Sequence, residues 1–177
     1  GLRDRKGSAA VEFALVAPPF LALMMSTFEV GWFFFAASQV DAAAIETARL
    51  VRTGQVQKSG FDKQDFFNEV CPTIQIFGDC DETLTVEVTV FNSFAELAAD
   101  TAPVVCTNDD PAEIAALAFE PGTENEIVRL RVCLLYNTIN PTIGVNVSET
   151  ADGKRRVFGS YIFRNEPFLK NNRNSST

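Results

Sequence analysis

Apolar side chains are unevenly spread along this chain. From Phe13 to Phe28 no charged side chain interrupts, and after Glu29 the run resumes as VGWFFFAA to Ala37. A helix needs about 20 apolar residues to cross a bilayer core. Residues 13–37 supply them, with Glu29 as the one interior charge. A secretory signal has an apolar core of only about 7–15 residues and then a small-residue cleavage site, so this run is too long for one. It passes unbroken into SQVDAAAIETARLVRTG, where Val40, Ala43, Ala44, Ala48 and Val51 recur at helical spacing and Asp41, Glu46, Arg49 and Arg52 fall elsewhere on the wheel. Gly54 is the predicted stop. An unbroken helix over Ser8–Thr53 would span roughly 69 Å at 1.5 Å per residue. That exceeds a bilayer, so its C-terminal part must project and pack on something. Pro18 and Pro19 remove two backbone donors and predict a kink or local melting.

Beyond Gly54 the periods are shorter. Asp62–Val70 reads as a short helix with Phe66, Phe67 and Val70 inward, and Cys71–Cys80 as a loop or short strand. Thr83–Phe91 alternates, with Leu84, Val86, Val88 and Val90 on one face and Thr85, Glu87 and Thr89 on the other. Residues 109–119 suggest a capped helix with Pro111 in its first turn. Ile127–Tyr136 is a second strong strand, with Arg129, Arg131 and Cys133 opposite Val128, Leu130, Val132 and Leu134. Gly144–Glu149 and Arg155–Phe163 read as a hairpin turning at Asp152–Gly153. The polar tail after Phe168 is expected to be disordered.

The predicted fold class is α+β: a long N-terminal helix, then a small domain with a mainly antiparallel sheet of three to five strands and one or two short helices. The phenylalanines are expected to supply its core. The expected division is a basic leader at 1–7, the long helix at 8–54, the α+β domain at 55–168 and the tail at 169–177.

Charge sharpens the picture. The net charge is −8. Residues 1–53 hold five basic and five acidic side chains, so residues 54–177 carry the whole excess, 10 basic against 18 acidic. Such a domain repels phosphate backbones, and nucleic acid is not an expected partner. Histidine is absent, which removes Ser-His-Asp and Cys-His catalysis. There is no phosphate-binding loop, dinucleotide fingerprint, GxSxG or HExxH motif, so no catalytic residue and no cofactor are expected. Asp79, Asp81 and Glu82, and Asp109 with Asp110, lack the spacing of a calcium loop and read as solvated loop charge.

Four cysteines follow the apolar run: Cys71, Cys80, Cys106 and Cys133. They form no C-x-x-C pair, so no metal site is expected. An even number in a membrane-anchored domain suits two disulfides in an oxidising compartment. Of three possible pairings, Cys71–Cys80, which closes a short local loop, and Cys106–Cys133 are favoured.

Arg3, Arg5 and Lys6 immediately precede the apolar run. Basic flanks stay cytoplasmic, so the N-terminus is expected inside and the rest exported. Glu12 stands at the start of the run, where a carboxylate is unfavourable. One reading is a charge facing the helix dipole near the headgroups. The residues GSAAVEF, Gly7 to Phe13, favour another. After a basic leader and before a long apolar helix, they resemble the processing site of type IV prepilins in the tight-adherence (Flp) form.

The wider stretch to Gln55 resembles the TadE-like pseudopilins of the tight-adherence pilus. It includes Phe28-Glu29 followed by Gly31, the alanine-rich continuation and Ala48-Arg49. A weaker echo lies at Phe163–Pro167. The resemblance implies cutting after Gly7 by a prepilin peptidase, so that Ser8 is first, Glu12 fifth and Phe13 sixth in the mature chain. It implies a minor pseudopilin of the inner membrane with a periplasmic domain. Its partners would be the membrane, the peptidase and other pilins and pseudopilins. The alternative is a membrane-anchored adhesive or ligand-binding module. Independently of family, the amino group freed at Ser8 can pair with the Glu12 carboxylate of its own or a neighbouring helix, offsetting the desolvation of both.

Overall fold

The computed structural model describes residues 5–139 and 145–168. The elements run α1 (Arg5–Arg52), α2 (Gln55–Ser59), α3 (Lys63–Ile74), a 3-10 turn (Gln75–Phe77), α4 (Cys80–Thr83), β1 (Leu84–Phe91), α5 (Phe94–Ala99), α6 (Pro111–Ala115), β2 (Ile127–Asn137) and β3 (Lys154–Arg164). Two compact units divide them: Gly1–Phe35 with Asn137–Arg155, and Ala36–Tyr136 with Arg156–Thr177. The architecture is α+β, with one long helix and a three-stranded antiparallel sheet in the order β1-β2-β3.

α1 continues through Pro18 and Pro19. The expected local melting does not occur; proline's fixed φ is itself helical, so the backbone can continue through both residues. The helix ends where the chain needs a left-handed residue: Gly54 has φ 74°, and a Cβ there would meet the Phe168 ring at 2.2 Å.

In the larger unit the C-terminal part of α1 buries Val40, Ala43, Ala44, Ala48 and Val51, the helical stripe read from the sequence, together with Ala36. Small alanines let a strand approach closely. A Cβ on Gly159 of β3 would lie 3.4 Å from Val40 Cγ1 and 3.6 Å from Ala44 Cβ. β1 and β2 pair antiparallel from Leu84↔Leu134 to Phe91↔Ile127. β2 is buried on both faces from Ile127 to Tyr136. The outer edge of β1 is partly closed by the chain itself, since Val88 N–H donates to Ala118 O at 3.0 Å and Val88 O accepts Glu120 N–H at 2.8 Å. Capping one stretch of an edge this way limits unwanted strand pairing.

Several expectations need correction. Cys71–Cys80 is helical and 3-10 rather than loop or strand, because α3 runs on through Pro72 to Ile74. The amide lost at Pro72 would have bonded Asn68 O, and Asn68 is exposed to water. The turn at Asp152–Gly153 forms, with Gly153 at φ 78°. Its first arm does not: residues 145–149 are not a strand, and β3 pairs with β2 instead. Gly144 and the tail at 169–177 lie outside the described residues. α5 was unforeseen, although Ser93 and Glu96 mark its start: Glu96 N–H donates to Ser93 Oγ at 3.1 Å. The domain's phenylalanines contribute unequally to its core: Phe61, Phe67, Phe119, Phe163 and Phe168 are half-buried. Phe66, Phe77 and Phe91 are buried, while Phe94 and Phe158 are exposed.

Candidate functional site

In the smaller unit the first part of α1 turns apolar side chains outward. Phe13 is 74% exposed, Leu15 72% and Leu23 71%, with Val11, Val16 and Phe20 close behind. Water does not favour such a surface, and its extent marks a site for lipid or partner helices. Among the described residues, α1 is the one helix long and apolar enough to cross a membrane. Gly7, Ser8, Glu12 and Phe13 all lie within its first turns, and nothing lies within 4 Å of a Cβ built on Gly7.

The interior charge of the apolar run has a defined place. Glu29 is fully buried, and its Oε2 accepts the backbone N–H of Ile139 at 2.9 Å. One turn earlier, Ser26 Oγ accepts the N–H of Val145 at 3.0 Å and donates to Ala22 O at 2.7 Å. One turn later, the Arg155 guanidinium stands 4.4 Å from the Phe33 ring centroid. Arg155 also donates to Val147 O at 2.7 Å. Ser26, Glu29 and Phe33 are spaced i, i+3, i+7, so they share one face of α1. Ile139, Val145 and Arg155 are thus seated on that face. Sequence reasoning singled out Glu29 but neither Ser26 nor Arg155. The available signal was that an ionisable group inside an apolar run requires a partner.

The larger unit is fastened by disulfides and buried ion pairs. Cys71–Cys80 and Cys106–Cys133 are bonded, with Cα atoms 5.8 Å and 5.5 Å apart. The Cys106 segment covers the arginine-bearing face of β2. Arg129 pairs with Asp100 at 2.7 Å, Arg131 pairs with Glu87 across the sheet and donates to Ala102 O at 2.8 Å, and Thr85 donates to Val105 O at 2.5 Å. The Asp100 carboxyl is held below the usual carboxylate range, first by the Ala102 N–H and then by Arg129. Three of the other acidic residues noted in the sequence have local structural roles. Asp79 caps α4, Asp110 caps α6, and Asp109 pairs with Arg156 at 2.8 Å. Among the described residues no group of three or more carboxylates or cysteines is placed to hold a metal ion.

A groove of about 440 Å³ opens between α3, β1 and the α6 segment, lined in part by Phe66, Phe67, Leu84, Val86, Ile114 and Phe119. Its lysine, Lys63, donates to Leu117 O at 2.7 Å and so ties α3 to the segment after α6.

The chain thus sets a long apolar N-terminal helix before a small disulfide-bonded α+β domain. Residues 7–49 match the family model described as TadE-like protein, a stretch that begins at Gly7 and ends within α1. That match, to a family that is a structural component of pili, supports a pilus-associated, pilin-like protein. No curated protein and no solved structure matches the chain.

Proposed function

We propose that the chain is a minor pseudopilin of a tight-adherence type IV pilus. In this reading a prepilin peptidase cuts after Gly7, and α1 anchors the chain in the inner membrane with its basic end cytoplasmic. The α+β domain then lies in the periplasm, where its disulfides form. α1 packs against other pilins and pseudopilins to help initiate, cap or assemble the filament. The observation that carries this reading is the coincidence of the TadE-like match at residues 7–49 with a helix whose first part exposes its apolar side chains.

Loss of the protein distinguishes assembly from adhesion. A deletion strain is expected to shed few or no surface pili on shearing, and the wild-type gene restores them. Normal pili that no longer attach would favour the adhesive-module reading instead.

A further inference from the structure

Lipid hydrocarbon cannot pass the level at which Ile139, Val145 and Arg155 sit on α1. Residues 145–150 form neither helix nor strand, and they include Asn146, Ser148 and Glu149. Irregular backbone of this kind is not tolerated against lipid tails, because its N–H and C=O groups find no partner there. Yet it is fastened to α1 through Val145 N–H on Ser26 and Ile139 N–H on Glu29.

We propose that the hydrocarbon-embedded part of α1 ends at Met25, and that Ser26–Phe35, with its outward Phe28, Val30 and Phe34 and with residues 139 and 145–155 seated on its other face, forms a collar in the lipid headgroup layer. This rests on the membrane-anchored reading. The surface that meets the bilayer is then the belt from Ala9 to Met25, with Val11, Phe13, Leu15, Val16, Phe20 and Leu23 outward. Trp32, within the collar, then sits where indole rings prefer to be, at the membrane–water boundary.

The arithmetic has a consequence for the other end. Phe13–Met25 is 13 residues, roughly 20 Å of helix, too short for a hydrocarbon core about 30 Å thick. Ala9–Met25 is 17 residues, roughly 26 Å, the lower limit of a spanning helix. The helix must therefore draw Ala9–Glu12 into the bilayer. Glu12 lies inside the hydrocarbon rather than at its edge. A helix this short stands nearly upright and thins the membrane around it or gathers neighbours.

Single cysteines test the boundary in the full chain, whose four native cysteines are all bridged. Leu15→Cys, Leu21→Cys, Phe28→Cys and Phe34→Cys each replace an exposed side chain of α1. Membranes opened to both faces are treated with a membrane-impermeant maleimide, which needs a hydrated thiolate. Phe28→Cys and Phe34→Cys are expected to label at least about tenfold faster than the other two, with detergent equalising all four. Protection of positions 28 and 34 equal to that of Leu21→Cys would overturn the collar and extend the hydrocarbon toward Ala37. Release of the chain by alkaline carbonate, with all four sites labelling alike, would instead overturn the membrane anchor itself.

Discussion

Glu29 Oε2 accepts the backbone N–H of Ile139 at 2.9 Å, across 110 residues of chain. The one charge that interrupts the apolar run therefore holds the segment that follows β2. Glu29→Ala is expected to release that segment at a local cost of about 1–3 kcal/mol, the usual range for orphaning a buried hydrogen-bonding group. Glu29→Gln keeps an acceptor oxygen and should cost less. Amide hydrogen exchange at Ile139 and Val145 reads the difference, and unchanged exchange in the alanine variant would contradict it.

The two disulfides should contribute unequally. Cys71–Cys80 closes a separation of 9 residues and Cys106–Cys133 one of 27. Loop-closure entropy grows with the logarithm of length, so the longer bridge is worth about 1 kcal/mol more, within a typical 2–4 kcal/mol for each. Urea unfolding of the Cys71→Ala/Cys80→Ala and Cys106→Ala/Cys133→Ala double variants checks this. The second pair is expected to lose more. It also releases the segment that covers Arg129 and Arg131.

Acid should weaken the same face. The carboxyl of Asp100 is depressed by the Ala102 N–H and then by Arg129. Its stabilisation is therefore complete above the unfolded-chain value of about 3.9. It is lost as pH falls through the lower folded value. Between pH 5 and pH 3 the wild type is expected to lose stability more steeply than Asp100→Asn, as followed by thermal unfolding. Parallel curves would contradict this.

Much of this architecture can be read from single positions, and the rest depends on long-range contacts. The alternation of Leu84–Phe91 and Ile127–Tyr136 identifies β1 and β2, because burial on a pleated strand repeats every second residue. The stripe from Val40 to Val51 likewise identifies the packed part of α1. The end of α3 is obscured because Pro72 reads as a breaker, yet the carbonyl it leaves unpaired belongs to an exposed turn. The hairpin expectation gets the turn right and the pairing wrong. Local sequence marks Asp152–Gly153, but only tertiary structure determines that β3 joins β2 while residues 145–149 do not pair as a strand. For the candidate site, the apolar surface and Glu29 are visible in sequence, whereas the partner of Glu29 lies 110 residues away.

Glu12→Ala is expected to leave the chain membrane-inserted while impairing surface piliation. In the membrane-anchored reading, a carboxylate within the apolar start of α1 is unfavourable alone and implies a cationic partner in the assembled state. Quantifying sheared pili from a strain carrying only this variant is the check, with carbonate extraction to verify insertion. Normal piliation would reduce Glu12 to a tolerated helix-end charge.

The processing of the N-terminus tests the central claim most directly. Intact-mass measurement and N-terminal sequencing of the protein from cells that contain a prepilin peptidase should find Ser8 as the first residue, with Glu12 fifth. A chain that keeps residues 1–7 in such cells, or one cut beyond Ala37, would contradict the pseudopilin account.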